Sequence, residues 1–176
     1  MKQLNAVWVA LLASGLSWSA AAAVMDDVAP LQQRWAEVKY QTPEDKQADE
    51  FERLVREQVK ALRYGPGDDV DLGAIFWDKQ LDIIKHHVED ARKRGATIDV
   101  GGEIDRAKGV FYKPTLLTNV THEMEIMREE TFGPIVAIMR VSSEAEAIRL
   151  ANDSEYGLSA SVWTKDIEKG IRIAKQ

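Results

Sequence analysis

An α/β fold is what this sequence predicts. Two observations carry that prediction. Helix-period apolar stripes alternate with short β-branched runs, and glycine- or proline-bearing turns fall at many of the joints between them. The composition agrees with it. The chain has 176 residues, 45% hydrophobic and 30% charged, which is the balance of a soluble globular protein with room for one ordinary domain or a small domain plus appendages. The net charge is −6 and the basic residues are dispersed, so no patch would collect phosphates and a nucleic-acid or anionic-membrane surface is disfavoured. Zero cysteine excludes disulfides, thiolate metal sites and thiol-based mechanisms.

The elements follow in order. Residues 1–23 form a block of their own, with Lys2 as the early charge, an apolar run from Ala6 to Leu16, and small residues through Ala23. That layout reads as a secretory signal cleaved after Ala23, because the apolar run is short of the roughly 20 residues a bilayer span requires. Asp26 to Tyr40 predicts a short amphipathic helix, with Leu31, Trp35 and Val38 on one face. Thr42 and Pro43 suit the start of a second helix over Glu44 to Arg63, whose stripe is Phe51, Leu54, Val55, Val59 and Leu62 and whose stop is Gly65-Pro66-Gly67. The aspartates Asp68, Asp69 and Asp71 lack the distal glutamate and the glycine of a calcium loop, so they read as a solvated turn.

Asp78 to Arg94 predicts a long helix with Leu81, Ile84, Val88 and Ala91 on one face and Gly95 as its C-terminal stop. Thr97 to Val100 predicts a strand ending at Gly101-Gly102. Val110 to Val120 is a second extended stretch, and Pro114 within it suggests an edge or irregular strand. Glu123 to Glu130 predicts a helical turn or two, and Ile135 to Val141 a buried strand. Ser142 or Ser143 caps a helix from Glu144 to Asn152, with Glu146 placed for a capping box. Leu158 to Thr164 predicts another strand and Asp166 to Gln176 a last helix.

Two phrases are far more specific than this pattern. They are Met127-Arg128-Glu129-Glu130-Thr131-Phe132-Gly133-Pro134 and Leu150-Ala151-Asn152-Asp153-Ser154-Glu155-Tyr156-Gly157-Leu158-Ser159-Ala160. Together with Phe111-Tyr112-Lys113-Pro114-Thr115 and the Val88–Ala96 helix end, they resemble the C-terminal part of the catalytic domain of NAD(P)-dependent aldehyde dehydrogenases. The resemblance covers about residues 51–176, leaving 24–50 as a helical extension of unclear origin behind the signal. It implies a partial aldehyde dehydrogenase α/β fold, NAD or NADP as the family's cofactor, a small aldehyde as substrate, and a homo-oligomer or association through exposed edges. It places Glu130 on the hydroxyls of the nicotinamide-side ribose and Phe132 against the nicotinamide end. No catalytic residue is assigned, because the family's cysteine nucleophile, general-base glutamate, oxyanion asparagine and glycine-rich dinucleotide cradle have no counterpart here.

Other candidates read as structural. His86 and His87 are adjacent on one helix and so point apart, and His122 is distant in sequence, so no metal site is expected. Ser159 and Ser161 lack a nucleophile-elbow context. The sequons at Asn119 and Asn152 matter only on a eukaryotic secretory route. Trp35, Trp77 and Trp163 read as core or core-edge residues. Three functional readings result: a dehydrogenase segment inactive by itself, a non-catalytic exported binding or assembly protein, and a chimeric gene model. Export implies a periplasmic or secreted location, and a dehydrogenase segment alone a cytoplasmic one. If the signal is real, mass spectrometry of the native protein is expected to find a mature chain starting at Val24 and continuous through Gln41–Arg63. Finding instead only a longer, unprocessed dehydrogenase containing Phe51 onward would remove the export reading.

Overall fold

The structure, a computed structural model, describes residues 45–176 apart from Lys108, Leu158, Ser159 and Lys165, with side chains from Ala48 onward. The signal, the Asp26–Tyr40 helix and the Thr42-Pro43 start signal lie outside the described residues. The element order is α1 (Asp45–Ala61), α2 (Asp78–Lys93), β1 (Thr97–Val100), β2 (Ile104–Asp105), β3 (Phe111–Tyr112), β4 (Thr115–Thr118), α3 (Glu125–Arg128), β5 (Ile135–Ala137), α4 (Glu144–Ala151) and α5 (Ile167–Ala174). This is a mixed α/β arrangement, as expected.

The centre is a three-stranded sheet of order β1-β4-β5, in which β4 runs antiparallel to β1 and parallel to β5. Successive strand residues face opposite sides. Leu117 therefore joins Leu81, Ile84, Val88 and Ala91 of α2, the stripe expected from sequence, in the larger apolar cluster. Leu116 joins Val59 of α1 in the smaller one, with Phe51, Val55, Val100 and Val136 packed against it. The sheet is thus covered by a helix on each face. Burying a leucine fully is worth about 2 kcal/mol over leaving it exposed, and β4 buries two.

Of the two expectations for the stretch around Pro114, an edge or an irregular strand, the irregularity is found and the edge is corrected. The Val110–Val120 stretch divides at Lys113-Pro114 into β3, which pairs with β2, and β4, which lies in the middle of the main sheet. Proline just ahead of a central strand removes no ladder donor within it. The segment 160–164 forms no named strand among the described residues.

Local signals set the ends of the helices. At the end of α2 the Gly95 N–H donates to the Arg92 carbonyl at 3.1 Å and the Ala96 N–H to the Ala91 carbonyl at 2.9 Å, with Gly95 at φ +102°. This is the paired C-terminal closure that glycine permits. At α4, Ser143 is the cap, its hydroxyl accepting from the Glu146 N–H at 3.1 Å. The Glu146 carboxylate turns back to Ser142, accepting from its N–H at 2.7 Å and its hydroxyl at 2.6 Å, so both serines are used. The Asp68–Asp71 turn closes on Arg63, whose guanidinium reaches Asp69 at 2.8 Å and Asp71 at 3.2 Å.

Asp99 is the extra residue of a bulge in β1, between the Ile98–Leu117 and Val100–Leu116 pairs. Its carboxylate accepts from Arg56 of α1 at 2.9 Å and from the Thr118 hydroxyl at 2.9 Å, fastening helix to sheet. The next turn wraps the start of β4. The Gly102 N–H donates to the Thr115 hydroxyl at 2.8 Å, and that hydroxyl donates to the Lys113 carbonyl at 2.7 Å. Gly101, at φ +69°, leaves no room for a side chain, since a Cβ would stand 2.2 Å from the Pro114 carbonyl oxygen. Gly101→Ala is expected to destabilise the chain by about 2 kcal/mol or more, from left-handed strain plus a backbone clash. Gly73→Ala, with nothing within 4 Å of the new methyl, should stay within about 0.5 kcal/mol of wild type. Denaturant melts of the two variants check this, and equal stabilities would refute the Gly101 geometry.

Candidate functional site

The candidate site is the loop between α3 and β5. It leaves α3 at Glu129, which is extended at φ −106°, ψ 151°, and whose N–H donates to the Glu125 carbonyl at 2.8 Å. It enters β5 through Pro134, whose carbonyl accepts from the Thr115 N–H of β4 at 2.9 Å. In between, burial differs from residue to residue. Thr131 is 1% exposed and Phe132 49%. Glu130 is half-buried. Thr131 and Gly133 lie against α2, while Phe132 is turned to solvent.

The α2 side is tightly fitted. The Thr131 hydroxyl meets Nδ1 of His87 at 2.7 Å, both residues being buried. A Cβ on Gly133 would lie 2.6 Å from Cδ1 of Ile84, so glycine is what lets the loop approach the helix. Ile84 and His87 are three apart and hence on one face of α2. Burial pushes His87 below its ordinary value of 6.5; Glu125, Glu129 and Asp90 act upward and His86 downward, but desolvation is the largest influence.

The loop after α4 braces the outer side. The Tyr156 hydroxyl donates to Oε2 of Glu129 at 3.0 Å, and that bond is the main cause of the raised phenol pKa. The Asp153 carboxylate receives Nε2 of His122 at 2.8 Å and Nη1 of Arg128 at 3.4 Å. The His122 contact is the main influence holding Asp153 below the usual carboxylate range. Glu129 is thus engaged by Tyr156.

The adjacent histidines tilt their rings by 54°, with centroids 6.0 Å apart, and the three histidines have different partners. His87 serves Thr131, His86 approaches Glu125 at 2.8 Å, and His122 serves Asp153. Among the described residues no group of three or more His, Cys, Asp or Glu could hold a metal ion. Ser161 is exposed, and Ser159 lies outside the described residues. The tryptophan expectation is corrected, since Trp77 is 48% and Trp163 40% exposed. Trp77 occupies the extended position before α2, outside the helix and therefore off its buried stripe, with the Lys79 ammonium 5.4 Å from its ring. Sequence reading missed His87, Thr131 and Tyr156 as supports of the loop. The available signal was the position of His87 three residues beyond Ile84, on the stripe that the periodicity had already marked as buried.

A buried strand carried between two helices, with a braced loop leading into the strand beside it, describes part of a mixed α/β domain. Comparison with known proteins places it. Residues 42–176 match the aldehyde dehydrogenase family. The chain is 48% identical over 132 residues to a Mycolicibacterium smegmatis protein named as a succinate-semialdehyde dehydrogenase (NADP(+)), a match covering 73% of this chain and 26% of that one. It is also similar to the crystal structure of Staphylococcus aureus betaine aldehyde dehydrogenase in complex with NAD+, with TM-score 0.67 and 39% identity over 72% of this chain and 26% of that one. Escherichia coli lactaldehyde dehydrogenase gives TM-score 0.69 and 34% identity over 73% of this chain and 28% of that one. The chain belongs to the aldehyde dehydrogenase family. It spans about a quarter of the length of the curated relatives it matches. The family uses NAD(P), as the named NADP(+) and NAD+ forms show.

The burial of His87 has a consequence for stability. Its folded pKa lies below 6.5, so the unfolded chain binds more protons as pH falls through that value. The contribution is complete above about pH 6.5 and is lost as pH falls toward the folded pKa. Lowering pH from about 7.5 to about 5.5 should therefore lower the melting temperature of wild type more than that of His87→Asn, which keeps a polar group but does not titrate there. Parallel pH profiles for the two proteins would refute this.

Proposed function

We propose that this chain is a segment of an NAD(P)-dependent aldehyde dehydrogenase that supplies the nicotinamide-ribose wall of the cofactor site and is inactive alone. The observation that carries this is a loop held against α2 through Thr131 and Gly133 that leaves Phe132 exposed and Glu130 half-buried. The two groups suit the cofactor. A half-buried carboxylate accepts hydrogen bonds from two vicinal ribose hydroxyls, and a half-exposed ring offers a face for a flat heterocycle. When bound, the nicotinamide accepts hydride from the substrate. Glu130 holds the ribose, Phe132 limits how far the ring can tilt, and Gly133 and Pro134 fix the turn that aims both. Inactivity follows from the absence of cysteine in the sequence, since the family's thiol nucleophile has no equivalent in it. The similarity to succinate-semialdehyde, betaine aldehyde and lactaldehyde dehydrogenases favours a small aldehyde as the substrate of the whole enzyme.

A second reading has its own support. Phe76 is 91% exposed, and Ile167 and Ile171 are exposed on α5. Apolar side chains left in water favour association, whether as an oligomer or as an exported assembly protein carrying the signal-like residues 1–23.

The test is a titration of the full chain with nicotinamide mononucleotide, with adenosine monophosphate as control. The mononucleotide is expected to move the Phe132 ring resonances, and Glu130→Gln to weaken that response by about tenfold, the loss of a charge-assisted bond. The chain alone should not reduce NAD(P)+ with succinate semialdehyde. Turnover by the chain alone would end the claim of inactivity, and an unresponsive Phe132 would end that of a cofactor wall.

A further inference from the structure

We propose that His87 is a positioning residue for the cofactor-facing loop, acting through the Thr131 hydroxyl. The inference rests on the reading of that loop as the nicotinamide-ribose wall and adds to it what sets the direction of Glu130 and Phe132. No atom of His87 belongs to that wall, and its role is exerted one residue away.

The geometry leads there in three steps. First, the loop carries no regular ladder of its own between Glu129 and Pro134, so its course depends on what grips its individual residues. Second, α2 grips it at two points. Ile84 receives the bare Cα of Gly133, and His87 meets Thr131. The Ile84 contact limits approach but carries no direction, because an apolar contact of this kind permits the chain to slide. The His87 contact at 2.7 Å is directional, and both partners are buried, so neither has water as a substitute. Third, Thr131 stands between the two residues that face the cofactor. Its side chain, held inward and 1% exposed, fixes the backbone from which the half-buried Glu130 and the 49% exposed Phe132 project, so releasing it frees both.

Burial keeps the imidazole neutral near neutral pH, which leaves one ring nitrogen to donate and the other to accept. A hydroxyl satisfies either arrangement at Nδ1. Valine has the shape of threonine without the hydroxyl, so Thr131→Val removes the bond while keeping the volume. Serine keeps the bond. On the other side, His87→Asn retains a polar atom near the position of Nδ1, and His87→Leu does not.

The experiment is residue-resolved amide hydrogen exchange on the full chain, with nicotinamide mononucleotide binding measured on the same samples. Thr131→Val is expected to speed exchange of the Thr131–Gly133 amides by about tenfold and leave the Leu81–Ala91 amides of α2 within about twofold. Thr131→Ser should restore wild-type exchange. His87→Leu with Thr131→Val should be no worse than either single change, since one bond is lost in all three. Mononucleotide affinity should fall in step with loop exchange. Unchanged loop exchange in Thr131→Val, or equal acceleration throughout α2, would overturn the inference, the second by showing a merely structural contact. If wild-type chain binds no mononucleotide, the cofactor reading alone fails. The exchange ratios then still decide whether His87 sets the loop, and should Thr131→Val not fold, His87→Asn against His87→Leu makes the same comparison.

Discussion

A strand of four residues with no side turned to water organises this structure. Thr115 to Thr118 are all buried. Both edges of the strand must then be paired and both faces covered. β1 and β5 take the edges, and α1 and α2 take the faces. Several local features follow from that demand. Pro114 stands before the strand rather than in it. The first polar side chain, Thr115, has to find partners inside the protein, and the Gly101-Gly102 turn wraps close enough to supply one. Gly101 has its positive φ because the turn passes over the Pro114 carbonyl. The parallel pairing of β5 begins at Thr115–Ile135, which anchors the far end of the candidate loop within the most buried part of the chain.

Charged side chains fasten the outer helix to this core, and their burial decides how much each matters. Arg53 pairs with Glu50 and Glu57 on the open face of α1. Exposed pairs of that kind contribute about 0–1 kcal/mol. Arg140, two residues past Ile138 on the chain leaving β5, reaches back to α1 with two bonds of 2.8 Å to the buried Glu52 and a third to Asp49. Glu52 is removed from most of the water that would compete, and the forked geometry suits a guanidinium. Losing Arg140 would leave a buried carboxylate without its main partner, a much larger penalty than any exposed pair carries. With Arg56–Asp99, this links α1 directionally both to β1 and to the chain just beyond β5, and these links set the register of a helix whose apolar stripe alone would tolerate sliding.

Periodicity made the helices legible and was weaker for the strands. The α2 stripe and its Gly95 stop were readable because 3.6-residue spacing and a C-terminal glycine are local signals. The same holds for the Ser143–Glu146 box. Strand pairing is not local. Nothing within Val110–Val120 says that its two halves join different sheets, and a proline inside an apolar run reads as an edge until its partner strands are known. Ile135–Val141 was longer in sequence than β5 is in space, because only Ile135–Ala137 has a partner strand to pair with. The two loop residues Glu130 and Phe132 came from family phrases, not from pattern. The residues that hold the loop were illegible for a physical reason. His87 and Thr131 are 44 positions apart, and a buried hydrogen bond between polar residues leaves no periodic trace.

The same distinction between local and long-range support applies to the candidate loop. The described residues hold it from several parts of the chain: His87 and Ile84 of α2 behind it, Thr115 of β4 at its exit, and Tyr156 at its entrance. The contrary holds for Phe76, Ile167 and Ile171, whose exposure gains nothing from the segment itself. Apolar side chains in water oppose solubility, and the driving force to cover them is proportional to their area. The described segment thus combines a loop held by a buried hydrogen bond and a glycine contact with apolar side chains left in water, and a change in either need not disturb the other.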